Sequence, residues 1–335
     1  VDDSAFARKV VREVLEANAR VEVVGIARDG LEALEQIATL APDVITLDLV
    51  MPNLDGVGLL RALAELQNAP KVILVSMSDG DSELVLEALE LGAIDLVRKP
   101  TALATDRLYE LGDELVGKVL AAAGARVVSH EPALAPKPSM TRSRSTELVV
   151  IGTSTGGPQA LTQLLPALPH DFPVPIVIAL HIPVEYTAAL AARLNQLSSL
   201  SVVEGMDGVA GVELLPGMVV LAKGGVHVRV DREGDKLFAR TTREAASAPY
   251  TPSVDLLLTS AAAACGKKTL AVVLTGMGDD GLIGARAVYE AGGRILTEAE
   301  PSCVVYGMPR CIEEANLSLA SVPLSRMAAE LVERV

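Results

Sequence analysis

The sequence predicts an α/β protein made of two doubly wound, parallel-sheet domains with a linker between them. Three observations carry that expectation. A chain of 335 residues corresponds to about two domains at roughly 100–200 residues each. Short β-branched apolar runs alternate with amphipathic helical stretches in both the front third and the back half. Charge also divides the chain. Residues 1–123 hold 22 acidic and 11 basic side chains, 124–147 hold 2 and 4, and 148–335 hold 19 and 14.

The front segment, residues 1–123, opens at Val1-Asp2-Asp3, where a first strand, expected to be truncated, ends. Ser4 can cap a helix with Phe6, Val10 and Val14 at helical spacing, and 30–40 is a second amphipathic stretch. Strands follow at 44–48, 72–76 and 94–97, separated by helices at 59–66 and 84–91 and closed by one over about 106–122. Parallel βα units with right-handed crossovers place ligands at the carboxyl ends of the strands. Residues 124–147 are first Pro/Ala-rich and then Ser/Thr/Arg-rich, as expected of a partly extended linker. The back segment, 148–335, begins with a strand at 148–151, a Gly-rich turn and a helix from about Pro158. A strand at 176–180 runs into His181. An antiparallel excursion is expected within 201–243. Helix 254–264, strand 270–274, a second Gly-rich turn, helix 282–291 and a strand at Ile295 complete the pattern.

A net charge of −14 with only 2% aromatic residues argues against nucleic acid, which needs basic surface and stacking rings, and against docking on anionic lipid. Cys265, Cys303 and Cys311 form no Cys-x-x-Cys pair, so neither a disulfide framework nor a zinc site is expected, and the three are read as buried packing in a reducing, cytoplasmic compartment. No apolar run of membrane-spanning length and no signal peptide is visible, so no direct membrane insertion is expected.

Two sets of residues carry chemistry. In front, Asp2, Asp3 and Asp48 fall at the ends of strands that can be neighbours. Three carboxylates there repel one another unless a hard cation such as Mg²⁺ joins them. Ser76 ends another strand and Lys99 follows a fourth, and a hydroxyl and an ammonium at that rim suit phosphoryl oxygens. The set reads as a carboxylate that accepts a phosphoryl group.

These residues, in Val1-Asp2-Asp3-Ser4, Asp48-Leu49-Val50-Met51-Pro52-Asn53-Leu54-Asp55-Gly56, Val75-Ser76 and Lys99-Pro100, resemble the receiver domain of two-component response regulators. The resemblance implies a flavodoxin-like fold. Asp48 would be the phosphorylated residue, and Asp2, Asp3, Asp48 and the Val50 carbonyl would hold Mg²⁺. Ser76 and Lys99 would be the switch hydroxyl and the phosphate-binding lysine. Leu96 stands where many receivers carry an aromatic switch residue.

In the back, Gly152-Thr153-Ser154-Thr155-Gly156 lies between a strand and a helix, a spacing that exposes a serine hydroxyl near a helix N-terminus. Of four histidines, His181 ends a strand at the same rim and is the best-placed base. The third member is expected after strand 270–274, where Asp279 and Asp280 are equivalent on spacing alone.

Six motifs in this half resemble the catalytic domain of the chemotaxis protein-glutamate methylesterases. They are Ile151 to Pro158, His181-Ile182-Pro183, Leu214 to Gly217, Pro252 to Asp255, Leu274 to Gly281 and Ser302 to Pro309. Together with the receiver, the resemblance covers nearly the whole chain. It implies a Rossmann-like serine hydrolase with Ser154 as nucleophile, His181 as base, Asp280 as orienting acid, and the backbone N–H groups of Thr155 and Met277 as oxyanion donors. It further implies no catalytic-site cofactor, methyl-accepting chemoreceptors as substrate, a chemotaxis-type histidine kinase as phosphodonor, and hydrolysis of glutamate γ-methyl esters with glutamine deamidation as a second activity. Ile182, Lys223 and Thr251 depart from the residues usual in that family.

Overall fold

The computed structural model describes residues 1–76, 82–99, 107–125, 146–205, 211–243 and 250–335, with side chains of its fifth helix from 112 onward. The chain divides into two compact units, Val1–Ala125 and Arg126–Val335. Most of the expected linker, residues 126–145, lies outside the described residues, as does the stretch before Arg107 where that helix was expected to begin.

In the first unit, helices α1 (Ala5–Glu16), α2 (Gly30–Leu40), α3 (Gly56–Ala64), α4 (Ser82–Glu90) and α5 (Arg107–Ala123) alternate with strands β1 (Val44–Leu47), β2 (Lys71–Ser76) and β3 (Asp95–Arg98). The strands are parallel in the order β1-β2-β3, with Leu47 opposite Leu74 and Ser76 opposite Arg98. Three helices start as their sequences dictate. The side chains of Ser4, Asp29 and Asp55 accept the N–H groups of Ala7, Glu32 and Gly58, satisfying donors that the first turn leaves unpaired. In α1 the buried stripe is Ala7, Val10, Val11 and Leu15. Phe6 is 46% exposed. The helix is therefore turned by about one residue from the expected Phe6–Val10–Val14 face, with the small Ala7 in the place foreseen for the ring.

Val1 and Asp2 sit in the position of a further strand end. The Val1 amine donates to Thr46 O at 2.7 Å, Asp48 N–H to Val1 O at 3.0 Å, and Asp2 N–H to Ala27 O at 3.1 Å. Residues 21–27 form no ladder, and a cavity of about 380 Å³ is lined by Val1, residues 20–27 and 40–46, Val75 and Val119 among others.

The second unit contains β4 (Leu148–Thr153), α6 (Gly157–Leu164), β5 (Ile176–Leu180), α7 (Val184–Leu197), β6 (Ser201–Glu204), β7 (Val212–Glu213), β8 (Met218–Leu221), β9 (His227–Glu233) and β10 (Lys236–Thr242). It continues through α8 (Val254–Cys265), β11 (Thr269–Val273), α9 (Leu282–Glu290), β12 (Arg294–Glu298), α10 (Met308–Glu314), β13 (Ala320–Val322) and α11 (Leu324–Arg334). Seven strands form one parallel sheet in the order β13-β12-β11-β4-β5-β8-β6. Its central strands are apolar and buried on both faces, as a sheet covered by crossover helices requires. The antiparallel excursion is a separate three-stranded sheet, β7-β10-β9. β6 and β8, foreseen as part of that excursion, belong to the main sheet instead.

Helix α7 has no counterpart in the sequence reading, because its apolar positions are spread among Ala, Thr and polar residues. α8 buries Leu257, Leu258, Ala261 and Ala262 between the two sheets, while Ala263 is exposed and Ala264 half-buried, so only the first half of its alanine run is core. Cys265 and Cys303 are buried, but Cys311 is only half-buried, against the expectation for all three. Among the described residues no helix is long and apolar enough to cross a membrane.

Candidate active site

In the second unit every strand of the main sheet runs the same way, so all carboxyl ends meet one rim. Register fixes what stands there. Thr153 of β4 lies opposite Leu180 of β5, and His181 N–H continues the ladder to Thr153 O at 3.2 Å. Ser154 and His181 are thus neighbours one step past the paired strands, about 4.8 Å apart in the hydrogen-bonding direction. On the other side, Leu274 N–H donates to Gly152 O at 2.9 Å and Ser154 N–H to Thr275 O at 3.1 Å. The chain turns away from Ser154 through Gly156, whose φ of +79° is a left-handed conformation suited to glycine, and Pro158 opens α6.

His181 Nε2 lies 2.8 Å from Asp280 Oδ2. Asp280 is held at the N-terminus of α8. It accepts Val254 N–H on Oδ2 at 2.8 Å, Asp255 N–H on Oδ1 at 2.9 Å, and the Ser253 hydroxyl at 3.2 Å. Burial disfavours its charge, but the His181 hydrogen bond and the N–H groups of Asp255 and Val254 outweigh burial, so its carboxyl titrates below the ordinary range. Asp279, which spacing left equivalent, is exposed. The anionic Asp280 fixes an Nε2–H tautomer of His181, which makes Nδ1 the ring's acceptor. Nδ1 is buried and has no hydrogen-bond partner among the described residues. The Tyr250 ring stacks on His181 with centroids 4.5 Å apart at 14°. Ser154 is 8% exposed, and no hydrogen bond joins its hydroxyl to His181 among the described residues. Such bonds often shorten only when substrate fills the site.

Several supporting residues carried no assigned role in the sequence. Ser253 caps α8 and bonds Asp280. His227, buried on β9, accepts Ser253 N–H on Nδ1 at 3.1 Å, and burial lowers its pKa against the pull of Asp280. Asp255 takes the N–H groups of Gly281 and Gly284 at 2.9 and 2.7 Å, which pins the start of α9 beside Asp280. The signals available were the motif at 252–255 and the helix-cap pattern at Ser253.

The turn 274–281 is equally tied down. Thr275 O accepts both Ser154 N–H and the Thr153 hydroxyl, and Thr275 Oγ1 donates to Thr155 O at 2.9 Å. Gly276 pairs with the 305–307 segment through Gly276 N–H to Val305 O and Gly307 N–H to Gly276 O. The next residue, Met277, has an N–H that bonds no group among the described residues. A Cβ on Gly276 would overlap Met308 Sδ and come within 2.9 Å of Ser154 Cβ. Gly276→Ala is therefore expected to cost about 1–3 kcal/mol of stability and more than tenfold in turnover, measured by thermal unfolding beside ester hydrolysis.

The first unit carries the other cluster. Asp2, Asp3 and Asp48 bring one oxygen each within 4.8 Å of one another. Lys99 Nζ lies 2.7 Å from Asp48 Oδ2 and 3.0 Å from Asp2 Oδ2, with all three side chains buried. Burial pushes the Asp48 carboxyl up, while Lys99 pulls it back and Asp2 adds to the rise. Lys99 is raised because Asp48 and Asp2 outweigh its own burial. Ser76 is buried and its carbonyl accepts Lys99 N–H at 2.7 Å. Val50 is 56% exposed on the loop after Asp48, and Leu96 is buried in β3. An all-oxygen set of this size and charge fits Mg²⁺, a hard cation that keeps several waters.

Residues 149–331 match the family model described as CheB methylesterase, and residues 1–110 that of the response regulator receiver domain. The chain is 56% identical over 340 residues to protein-glutamate methylesterase/protein-glutamine glutaminase 5 of Myxococcus xanthus, covering 100% of this chain and 97% of that protein. It is 39% identical over 342 residues to the protein-glutamate methylesterase/protein-glutamine glutaminase of Geobacillus kaustophilus, covering 100% and 97%. The crystal structure of the Thermotoga maritima CheB methylesterase catalytic domain superposes with a TM-score of 0.54 at 39% identity, over 56% of this chain and 98% of that one. The chain belongs to the CheB family of chemotaxis protein-glutamate methylesterases/protein-glutamine glutaminases, with a response regulator receiver domain ahead of the methylesterase domain.

Proposed function

We propose that Ser154, His181 and Asp280 form the triad that hydrolyses glutamate γ-methyl esters on chemoreceptors, and that phosphorylation of Asp48 raises this activity. The observation that supports the triad most is the buried Asp280 on His181 Nε2, with His181 in register beside Ser154. Ser154 Oγ attacks the ester carbonyl and its proton passes to His181 Nδ1. The charge on the tetrahedral oxygen falls to the N–H groups of Met277 and Thr155. Collapse breaks the C–OCH₃ bond, and His181 returns the proton to the departing methoxy oxygen as methanol. Water then attacks the acyl carbon while His181 takes its proton, and Ser154 leaves with that proton restored. The same steps on a γ-carboxamide release ammonia, which is the glutaminase reaction.

The receiver spans residues 1–123, the linker 124–147 and the methylesterase domain 148–335. Asp48 receives the phosphoryl group from a chemotaxis-type histidine kinase in the cytoplasm. Asp2, Asp3, Asp48 and the Val50 carbonyl would hold Mg²⁺, which when bound offsets the charge of the incoming phosphoryl oxygens. Lys99 and the Ser76 hydroxyl bind those oxygens. Phosphorylation then biases a two-state equilibrium towards the active form.

The test is methanol release from methylated receptor by the full chain, with and without a phosphodonor and Mg²⁺. Release is expected to rise with donor, and Asp48→Asn is expected to bring the ratio of stimulated to unstimulated release to about one. Release that ignores the donor in the unsubstituted protein keeps the esterase and sinks the gating. Release that survives loss of the Ser154 hydroxyl sinks the triad.

A further inference from the structure

Behind the active-site turn lies a titratable group that the reaction above does not use. Glu298, the last residue of β12, is fully buried. Its Oε2 accepts Thr275 N–H at 2.8 Å, and Thr275 is the residue whose carbonyl holds Ser154 N–H. Its Oε1 lies 3.0 Å from the Ser302 hydroxyl. No cationic side chain pairs with Glu298 among the described residues.

The hydrogen bonds around Ser302 leave room for a proton on Glu298. Ser302 Oγ accepts Leu324 N–H at 3.0 Å and lies 3.1 Å from the Ala299 carbonyl oxygen, which can only accept. One hydroxyl carries one proton. Given to Ala299 O, it leaves the contact with Glu298 Oε1 to be closed by a proton on Oε1. Ala299 O also accepts Ser302 N–H at 3.0 Å, so the count admits both forms of Glu298, and what favours the proton is full burial with no cationic partner among the described residues. A buried, unpaired carboxylate is also costly in itself.

We propose that Glu298 is a positioning residue that works as a neutral carboxylic acid, donating from Oε1 to Ser302 Oγ and accepting Thr275 N–H on Oε2. It holds the turn carrying Met277 against Ser154 without placing a negative charge behind the developing oxyanion. The inference rests on the reading of Ser154 and the Met277 N–H given above.

The surroundings favour the neutral form. Cys303 Sγ lies 3.6 Å from Glu298 O, Glu313 of α10 accepts from the Thr297 hydroxyl next door, and Glu300 and Tyr306 stand on the same loop. These groups are neutral or anionic. Burial raises the Glu298 carboxyl to about 7, against its hydrogen bonds from Thr275, Ser302 and Cys303. The folded-state value is raised above the unfolded one, so folding takes up a proton between the two. Stability is therefore greatest at low pH within that window and falls as pH rises towards 7.

An amide carries the same donor and acceptor as a protonated acid but has no charge to acquire. Glu298→Gln and Glu298→Ala are made in the full chain. Methanol release, thermal unfolding and the infrared carboxylic-acid band are read at about pH 6 and about pH 8.5. Glu298→Gln is expected to match the unsubstituted protein at the lower pH and to exceed it roughly threefold or more at the higher, with an unfolding temperature higher by about 5 °C. Glu298→Ala falls below both, and the infrared band seen at the lower pH is missing from Glu298→Gln. A Glu298→Gln protein that loses activity at the lower pH, or an unsubstituted protein lacking the band there, overturns the proposal. If Glu298→Ala does not fold, the Gln variant and the band still decide. The band and the unfolding curves do not depend on catalysis, so failure of the Ser154 reading is seen separately, as methanol release by Ser154→Ala.

Discussion

Ser154→Ala is expected to lower methanol release by about 10⁴–10⁶-fold, the size of loss seen when a triad serine is removed, while the chain stays folded. The effect is chemical because little else depends on the hydroxyl. Ser154 is anchored through its main chain, with N–H on Thr275 O and its carbonyl accepting Gly157 N–H at 2.7 Å. Both bonds survive in alanine. The hydroxyl makes no hydrogen bond among the described residues, so its loss leaves no buried partner unpaired. The unfolding free energy is expected to change by less than about 1 kcal/mol. What remains at the site is an acceptor, His181 Nδ1, with no hydroxyl to deprotonate. Thermal unfolding beside a methanol assay checks both halves. A variant that keeps more than a few per cent of turnover shows that another group attacks the ester.

The sequence made the site legible to different depths, and the differences have physical causes. Ser154, His181 and the pair Asp279-Asp280 each follow an apolar run, and a parallel sheet brings such positions to one rim whatever the details of packing. Periodicity was therefore enough to collect them. It could not separate Asp279 from Asp280, because adjacent residues in a turn differ by the direction of one side chain, and that direction is set by the N-terminus of α8, which lies 25 residues away in sequence. His227 and Glu298 were illegible for a related reason. Both point from strands into the interior, where alternation predicts apolar residues, and each accepts a backbone N–H from a distant turn, of Ser253 and of Thr275, with the Ser302 hydroxyl also on Glu298. Only the three-dimensional course of the chain brings those donors near. In the first unit, the strands and the Asp48–Lys99 rim followed directly from apolar runs, whereas the face of α1 did not. Phe6, Val10 and Val14 and the observed Ala7, Val10, Val11 and Leu15 differ by a small rotation, and a hydrophobic side chain on the solvent side of that boundary costs little.

Asp280→Asn is expected to lower turnover by about 10⁴-fold, whereas Asp279→Asn should stay within about threefold of the unsubstituted protein. The argument starts from what each Asp280 oxygen accepts. Oδ1 takes Asp255 N–H and the Ser253 hydroxyl, and Oδ2 takes Val254 N–H and faces His181 Nε2. Both oxygens thus face backbone N–H groups, so an amide cannot satisfy the site in either orientation. With its NH₂ at Oδ2, it meets Val254 N–H and drives the His181 proton from Nε2 to Nδ1, the atom proposed above as the base. With its NH₂ at Oδ1, it meets Asp255 N–H and works the α8 N-terminus loose from the turn. The first outcome removes the base directly, and the second removes its support. Either also removes an anion that the α8 N-terminus stabilises, at a cost of about 1–3 kcal/mol in stability. Because the folded Asp280 titrates below the ordinary range, its contribution to stability is present near neutrality and is lost as pH falls through that depressed value. The Asn variant should accordingly show a shallower loss of stability on acidification. Asp279 is exposed, its carboxylate has no hydrogen bond among the described residues, and only its main-chain carbonyl is engaged, by Leu282 N–H. Turnover and acid unfolding of the two variants, measured side by side, decide between the acids. Equal losses in both, or a loss confined to Asp279→Asn, would move the orienting role away from Asp280.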